Sequence, residues 1–425
     1  MTFGDNTEVE FSDETQFEST LDFGTTAGND IVFLEDGDFD GVVTFASAAD
    51  ITIASTTDFA VAVSIPAALV NFRNSTIVPP TVTTGGVWTI AAGGSIDIGN
   101  GNNGAWTFGD EIDIAAGCNI DANTGASTTT FEDIDLNGAS TITSSANTSY
   151  GGIVDIAAGF ACNFTNSGTP TVTTSGVWTI NAGSSANIGN GNDGPWTFGA
   201  EVDFAAGSSM NANTGASTTT FNTLDFNGDA TLTLTANTVF DGDVDVAAGT
   251  TVTIPNSGTP TVTSDKNWTL NANSSTDFGN GNTGNWTFST PSVISLGSGA
   301  TFTYDCGTST KTLFDLTLAG LNTVNLAHTS QTNITGTITA PATCHTASRL
   351  QSTSAGTTAD VNLTAIHSLD YLTYRDINNI GAAFTVRRGS DVGGVASNLT
   401  VGANIANTLY WIGGVAASAA KTLSA

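Results

Sequence analysis

A long internal repeat constrains the fold of this 425-residue chain more than any other feature. Residues 80–169 and 170–259 align without a gap, and 56 of the 90 aligned positions are identical. A third copy begins at Pro260, where 18 of the first 30 residues match the second copy. Near-identical copies in tandem are typical of proteins in which each unit buries its apolar residues against its neighbours. We therefore expect a repeat architecture rather than unrelated globular domains.

A finer period of short strands lies inside each 90-residue copy. Triplets such as Ile112-Asp-Ile and Val154-Asp-Ile place one polar residue between two apolar residues, which is the pattern of a strand buried on one face. Small residues such as Ala-Ala-Gly or Asn-Gly follow the triplets and permit tight corners. Apolar markers between Ile90 and Ile180 are separated by 18, 23, 19 and 30 residues. The sequence therefore predicts several unequal turns in each copy.

These features predict an all-β fold, a right-handed parallel β-solenoid with a β-rich C-terminal cap or head. Each turn would have about 20 residues and two or three short strands. A hairpin sandwich is the alternative, but sandwiches do not show near-identical 90-residue copies of four unequal turns. At about 4.8 Å per turn, about 18 to 20 turns would form a rod about 90 Å long.

Three segments are expected along the chain. Residues 1–79 resemble the repeats in style and are interpreted as diverged turns with a capping or attachment segment, since a solenoid end must cover its open edge. Residues 80–340 would form the repeat solenoid, and residues 341–425, with fewer glycine corners, a C-terminal cap or contact domain. The copies of the solenoid would be 80–169, 170–259 and 260–340.

The charge of the chain is strongly acidic and unevenly distributed. The net charge is −31, from 39 Asp and Glu against eight Lys and Arg. Arg73 is the only basic residue before Lys266, so residues 1–265 carry the whole net charge and the remainder is neutral. Because phosphates and anionic lipids repel such a surface, we expect no nucleic-acid binding. The shared negative charge would instead make neighbouring copies of the protein repel each other.

Targeting, membrane and disulfide features are not expected either. The N-terminal residues show no basic region followed by an apolar run, and no apolar stretch reaches 18 residues, so we expect neither a secretory leader nor membrane insertion. The cysteines are interpreted as free, small apolar residues rather than as a disulfide framework or a zinc site. They are Cys118, Cys162, Cys306 and Cys344.

One recurrent sequence pattern has a resemblance to known repeats. Phe131-Glu-Asp-Ile-Asp-Leu-Asn-Gly is followed by Val154-Asp-Ile-Ala-Ala-Gly, and the same pattern returns from Phe221 to Gly249. It resembles the F-N-N-L-T-I-N-G…L-T-V-N-G-D-L-T-I-N-A-G repeats of bacterial surface adhesins and of environmental phage virion proteins. The segment 368–377 looks like the closing segment that often follows such repeats. The resemblance covers about 80–425, implies a solenoid, and carries no catalytic residues.

Three classes of function are compatible with this combination. The leading hypothesis is a structural virion protein: a phage tail fibre, spike or capsid-attached fibre located in the virion. It would be a homotrimer with other virion proteins as partners, and it would act as a stiff shaft for attachment to a host cell-surface glycan or protein. The alternative is a bacterial surface adhesin, extracellular-matrix or surface-layer protein. The second alternative is a polysaccharide-degrading tailspike, although we expect a protein without enzymatic activity.

Acidic residues supply the candidate metal and catalytic positions. Asp36, Asp38 and Asp40, with Gly41, match the start of a calcium-binding loop, so calcium is a possible cofactor; a hydrated acidic turn is the other interpretation. A tailspike would need two carboxylates about 5–9 Å apart. Many pairs qualify, for example Asp110 with Glu111 and Asp113, or Glu132 with Asp133 and Asp135. A further acidic row at Asp241, Asp243 and Asp245 is a second metal candidate.

Aromatic residues supply the candidate contact positions. Tyr410 and Trp411, together with Arg387 and Arg388, are predicted to form the contact end, because aromatic residues and Arg dominate protein interfaces. Six Trp residues recur at two positions of the repeats and are interpreted as core packing, with a sugar-binding row as the alternative. They are Trp88, Trp106, Trp178, Trp196, Trp268 and Trp286.

Overall fold

The structure is a computed structural model. It describes the following residues: 2–3, 8–12, 15–23, 29–309, 311–340, 346–365, 367–387, 390–391 and 399–401. Side chains are described from residue 10 to residue 386, apart from residues 29 and 368 and the gaps between these ranges.

The chain forms a parallel β-solenoid whose turns repeat about every 23 residues. A turn contains three short strands, and each pairs in parallel with the equivalent strands of the turns before and after it; Ile112–Ile114, for example, lies between Trp88–Ile90 and Ile134–Leu136. No helix occurs among the described residues. The predicted all-β parallel solenoid is confirmed, and the hairpin sandwich is excluded.

The three stacks of strands are called face 1, face 2 and face 3. Face 1 and face 2 join at Trp196–Phe204 and Thr218–Phe226, whose first halves belong to face 1 and second halves to face 2. The other strands of face 1 are Thr15–Phe17, Gly37–Phe39, Thr57–Phe59, Thr81–Thr84, Ala105–Phe108, Thr128–Phe131, Asn147–Tyr150, Val172–Thr174, Asn237–Phe240, Thr261–Ser264, Asn285–Phe288, Lys311–Leu313, Thr332–Ile334, Ala359–Leu363 and Ile377–Asn379.

Face 2 follows face 1 along the chain in each turn. Its other strands are Thr2–Phe3, Leu21–Phe23, Val43–Phe45, Val63–Ile65, Trp88–Ile90, Ile112–Ile114, Ile134–Leu136, Val154–Ile156, Trp178–Ile180, Val244–Val246, Trp268–Leu270, Val293–Leu296, Asp315–Leu318 and Ile338–Thr339. A separate three-stranded parallel sheet lies in the C-terminal region; it consists of His367–Asp370, Phe384–Arg387 and Leu399–Val401.

Face 3 completes each turn. Its strands are Glu8–Phe11, Asn29–Phe33, Ala49–Ile53, Leu69–Asn74, Ser95–Gly99, Asn119–Ala122, Thr141–Ser144, Ala161–Asn166, Ser185–Gly189, Ser208–Ala212, Ala230–Leu234, Thr251–Pro255, Ser275–Gly279, Thr301–Tyr304, Thr323–Leu326, Ser348–Ser352, Leu372–Arg375 and Ser390–Asp391. At about 4.8 Å between neighbouring strands, this stack spans about 80 Å.

The spacing of the turns corrects one detail of the sequence analysis. On face 1 of the first copy, successive inward residues lie 24, 23, 19 and 24 positions apart, from Val82 to Val172. The predicted spacings of 18, 23, 19 and 30 also add up to 90, but their markers mix two faces. Ile90 belongs to face 2, whereas Phe108 belongs to face 1. Alternating polarity cannot distinguish two faces that bury apolar residues in the same way.

The interior is a continuous apolar column in which aromatic rings stack from turn to turn. Phe108, Phe131 and Tyr150 form one such stack, with ring centroids 5.1 and 5.6 Å apart. All six repeated Trp side chains are at most 1% exposed, which confirms core packing and excludes a surface sugar-binding row. Cys118, Cys162 and Cys306 are free and buried, as predicted; Cys344 lies outside the described residues.

The repeated Gly-Asn-Gly-Asn motif forms a corner that depends on left-handed backbone conformation. In the first copy Gly99, Asn100 and Gly101 have φ angles of +86°, +49° and +78°, a conformation that Gly and Asn tolerate best. The following Asn102 donates its side-chain amide to the carbonyl oxygen of Asn74. The motif is therefore a structural corner.

Strand pairing continues across both expected segment boundaries. Val63 pairs with Trp88 across the boundary at 79/80, and Thr323 pairs with Arg349 across the boundary at 340/341. The described part of residues 1–79 therefore forms turns of the same solenoid. The division of the chain into three functional segments stays a prediction. No helix in the described part is long and apolar enough to cross a membrane.

Candidate functional site

A row of aspartates runs along the outside of face 2. Asp113, Asp135 and Asp155 occupy the middle, outward position of three successive strands. Because neighbouring parallel strands are about 4.8 Å apart, these carboxylates lie directly above one another. The row ends at the next turn, where Thr179 occupies the equivalent outward position. The side chain of Asn181, two residues further along the chain, donates a hydrogen bond to Asp155.

The second copy repeats this arrangement. Asp203, Asp225 and Asp245 form the row, and the side chain of Asn271 donates a hydrogen bond to Asp245. The third copy does not continue it, because Ser295 and Thr317 occupy the equivalent outward positions. The two acidic rows are thus specific to the two most similar copies.

A glutamate two residues before the first aspartate joins each row. Glu111 lies with Asp113 and Asp135, and in the second copy Glu201 lies with Asp203 and Asp225. In each group of three, carboxylate oxygens lie within 4.8 Å of one another. The sequence offers no Lys or Arg between Arg73 and Lys266. Each group is therefore a three-carboxylate cluster that a basic residue of the same segment cannot neutralise.

Two carboxyl groups of the first cluster, Glu111 and Asp113, bind protons more tightly than ordinary carboxyl groups. The pKa of Glu111 rises from 4.5 to about 7, chiefly through a hydrogen bond shared with Asp135, then through burial and the negative charges of Asp135, Asp113 and Asp133. The pKa of Asp113 is raised by burial and by Asp135. In the second cluster burial is the main cause of the raised pKa of Glu201, followed by Asp203 and Asp225. One proton shared between carboxylates relieves their repulsion.

The chemistry of these clusters is compatible with two roles, binding of a divalent cation and acid catalysis. Oxygen-only donors suit hard divalent cations such as Ca²⁺, so each cluster has ligands that could hold such an ion. A carboxyl group with a pKa near neutrality beside an ionised carboxylate is also the pairing used for acid catalysis on glycosides. Both clusters are only partly buried and lie on the outer surface of a strand stack.

The members of the first cluster can be identified in the sequence, but their grouping cannot. Of the acidic residues paired from the sequence, Glu111, Asp113 and Asp135 lie together. Asp110 instead accepts a hydrogen bond from the Glu111 N–H, and Asp133 accepts one from the Ile153 N–H. The signal that could have identified the cluster is the separation of 22 residues between Asp113 and Asp135, which equals one turn.

The predicted calcium loop has a different geometry. Gly37–Phe39 is a strand of face 1, so Asp36, Asp38 and Asp40 follow an extended backbone rather than a coordinating loop. Asp36 accepts a hydrogen bond from the Ser55 hydroxyl, and Asp40 accepts one from the side-chain amide of Gln16. Alternate residues of a strand are about 7 Å apart, too far to share one ion without rearrangement. Calcium binding at this segment stays a prediction.

The acidic residues predicted to form a further row, Asp241, Asp243 and Asp245, have hydrogen-bond or ion-pair partners within the protein. The carboxylate of Asp241 lies 3.6 Å from the ammonium group of Lys266. Asp243 accepts a hydrogen bond from the Asn267 N–H, and Asp245 accepts one from Asn271. These carboxylates connect each turn to the next and have structural partners.

The predicted contact residues cannot be placed. Tyr410, Trp411 and Arg388 lie outside the described residues, and Arg387 is the last residue of the strand Phe384–Arg387, with a side chain that is not described. The contact prediction therefore stays a prediction.

Face 1 has a feature that the sequence analysis did not single out. Between Thr81 and Thr312 its outward positions carry Thr, Ser, Asn, Ala or Val, but no charged residue. The outward residues of successive strands that form one row, called the threonine row, are Thr83, Thr107, Thr130, Ser149, Thr173, Thr197, Thr220, Val239, Thr263, Thr287 and Thr312. The signal was present in the sequence as Thr-x-Thr motifs.

Comparison with known proteins adds no relative. No protein-family model matches the chain, and neither the curated proteins nor the solved structures contain a match.

Proposed function

We propose that this protein is a structural fibre component, a phage tail fibre, spike or capsid-attached fibre whose solenoid is a stiff shaft for host-surface attachment. The observation that carries the proposal is the uninterrupted stack of parallel turns, paired from Leu21–Phe23 on face 2 through Leu372–Arg375 on face 3. Each interior turn hydrogen-bonds to two neighbours, so bending the rod would break many bonds at once.

The charge distribution supports the same role. The acidic segment up to residue 265 forms solenoid turns, and its like charge would keep neighbouring shafts from adhering. The neutral C-terminal region, with the predicted contact residues Arg387, Arg388, Tyr410 and Trp411, would dock to other virion proteins or to a host glycan or protein. A bacterial surface adhesin would use the same shaft, and the genes beside this one would distinguish the two origins.

Electron microscopy combined with mass measurement tests the fibre proposal. We expect negatively stained particles that are rods about 80 Å or longer, with a mass by light scattering of three chains. A rod with the mass of one chain would contradict the predicted homotrimer but not the fibre. A compact, rounded particle would contradict the fibre itself.

A polysaccharide-degrading spike is the second candidate, and one observation favours it. The pKa of Glu111 is raised to about 7, chiefly by its hydrogen bond with Asp135, and an acid catalyst acting on glycosides needs a carboxyl group with a raised pKa. Release of reducing ends from capsular polysaccharides, abolished in Glu111→Gln, is the expected result for this candidate. Equal release by the wild type and the variant would contradict it.

A further inference from the structure

The threonine row presents the same side chain at nearly every turn over much of the rod. Nine of the eleven outward residues from Thr83 to Thr312 are threonine; the others are Ser149 and Val239. Neighbouring members are about 4.8 Å apart along the rod, and the strand places a second outward row about 7 Å away. That second row contains Thr81, Thr128, Thr171, Thr218 and Thr261. The result is a two-dimensional grid of hydroxyl and methyl groups.

Charge is absent from this grid although the surrounding segment is acidic. The sequence from 81 to 312 contains 20 carboxylates. Those that lie on strands belong to face 2 or face 3, for example Asp113 and Asp97, and the others lie at corners, for example Asp110 and Asp133. The composition of the segment therefore does not explain an uncharged face 1. A surface without charge fits a partner that is itself neutral.

The hydroxyl groups of the grid are available to an external partner. Thr83 donates a hydrogen bond to Asp58, but in the described part of the chain the hydroxyls from Thr107 to Thr312 make no hydrogen bond with the protein. Face 3 differs, because Thr143 and Thr165 bond to each other at 3.0 Å. A hydroxyl both donates and accepts, so each free group can hold an ordered water molecule.

The grid is also stiff. Threonine is branched at Cβ and has few χ1 rotamers on a strand, so that its hydroxyl and methyl positions repeat from turn to turn. The backbone beneath it is fixed by hydrogen bonds to the turns on both sides, and the side chains beneath it include the buried Trp106, Trp196 and Trp286. A rigid array with a fixed repeat can be matched along its whole length only by a partner with a fixed repeat.

We propose that face 1, from Thr81 to Thr312, binds the surface of ice. Water molecules held by the hydroxyls, and ordered between the methyl groups, would form a regular layer that continues into the ice lattice. Ice is neutral and periodic, and it has no place for the hydration shell of a carboxylate, which accounts for the missing charges. This activity is independent of the proposed fibre function.

Two partners other than ice could occupy face 1: a neutral polysaccharide or a second copy of the chain. The experiment below distinguishes both of them from ice. A neutral polysaccharide would be expected to need aromatic side chains for stacking, and the repeated Trp residues are all buried. A second copy of the chain would bury face 1 in an oligomer. Either occupant would make the grid a contact surface for a macromolecule and would overturn the assignment to ice.

The test uses the purified full-length chain with two matched variants. Thr220→Lys places a charge in the middle of the threonine row, and Thr233→Lys places the same charge at an outward, half-exposed position of face 3 in the same copy. Circular dichroism and the melting temperature establish that both variants fold. Ice-crystal shape, thermal hysteresis and inhibition of ice recrystallisation are then measured beside the wild type.

The expected result is that the wild type shapes ice crystals and lowers their growth temperature, that Thr220→Lys lowers the hysteresis several-fold, and that Thr233→Lys retains it. Growth of rounded, unfaceted discs with the wild-type protein, as in buffer alone, would overturn the proposal. So would equal losses in the two variants, or an oligomer mass by light scattering that falls only in Thr220→Lys. Binding of the wild type to neutral glycan arrays, lost in Thr220→Lys, would assign face 1 to a carbohydrate instead.

Discussion

Each of the three repeats contains one Trp whose indole N–H donates a hydrogen bond to a buried asparagine. The indole N–H of Trp196 donates to the side-chain oxygen of Asn166 at 3.0 Å, and the side-chain amide of Asn166 donates to the carbonyl oxygen of Gly194. Trp106 with Asn74 and Trp286 with Asn256 repeat the indole bond. The sequence identified the Trp residues as core but not their partners, because each asparagine lies 30 to 32 residues before its Trp.

Loss of one asparagine tests this pairing. Asn166→Ala leaves the indole N–H of Trp196 without an acceptor in the core, so the free energy of unfolding should fall by about 1–3 kcal/mol. Asn163→Ala, on the exposed side of the same strand, is the matched control and should have little effect. Chemical denaturation measures both, and equal losses would show that the buried hydrogen bond is not the cause.

Lys311 is a buried cation whose removal should stabilise the protein. It faces inward on face 1, fully buried, and donates to the hydroxyl of Ser330 and to the carbonyl oxygen of Gly307. Burial lowers its pKa below the usual 10.5, partly opposed by the nearby Cys306 and Asp305. Lys311→Met should raise the free energy of unfolding at neutral pH by about 1 kcal/mol or more, because the apolar side chain needs no desolvation.

The pH dependence identifies the cause of that change. Since folding lowers the pKa of Lys311, the unfolded chain binds more protons between the lowered pKa and 10.5, and this residue makes stability rise with pH in that window. Lys311→Met should lose this rise. Lys266→Met is the control, because the exposed Lys266 has a raised pKa beside Asp265 and Asp241. The measurement is the denaturation midpoint at several alkaline pH values. If the midpoint of Lys311→Met rises with pH as steeply as that of the wild type, Lys311 does not cause the rise.

Strands in this molecule are defined by their neighbours more than by their own residues. A triplet such as Val154-Asp-Ile is too short to be stable alone and forms because two flanking strands pair with it. Apolar alternation was therefore sufficient to predict the strands and the solenoid. It was insufficient to predict the three-carboxylate clusters, because the register of one turn on the next depends on corner lengths that vary from turn to turn.

The carboxylate clusters predict an unusual dependence of stability on pH. Folding raises the pKa of Glu111 from 4.5 to about 7, so between these values the folded chain binds more protons than the unfolded chain. This contribution is fully present at pH 4.5 and is lost as the pH rises through 7. The melting temperature should consequently fall between pH 5 and pH 8, as measured by circular dichroism.

A matched pair of variants isolates the cluster. Asp135→Asn removes a member and should flatten the fall in melting temperature. Asp193→Asn changes the net charge equally, yet the first copy already has Asn103 at the equivalent position, making the same bond to a backbone N–H. The control should keep the wild-type profile. Identical profiles in all three proteins would mean that the cluster does not determine the pH dependence.

The whole rod carries a net charge of −31, and this charge should destabilise it. Like charges on stacked turns repel in the folded rod more than in the expanded chain, and dissolved salt screens that repulsion. We expect the melting temperature at pH 7.5 to rise between 0.02 and 0.5 M NaCl, over the range in which the screening length falls to about 4 Å. At pH 4.5 the rise should be smaller; an equal rise would attribute it to general salt effects.

The register of the 90-residue copies has a consequence for how such a chain changes over generations. On face 1 and face 2 the pairing advances by 90 residues over one copy, from Val82 to Val172 and from Trp88 to Trp178. Recombination between two copies would therefore add or remove four whole turns without exposing an apolar residue. Each such event would change the length by about 19 Å. The length of the rod is then a heritable quantity that varies in fixed steps, while the two ends remain the same.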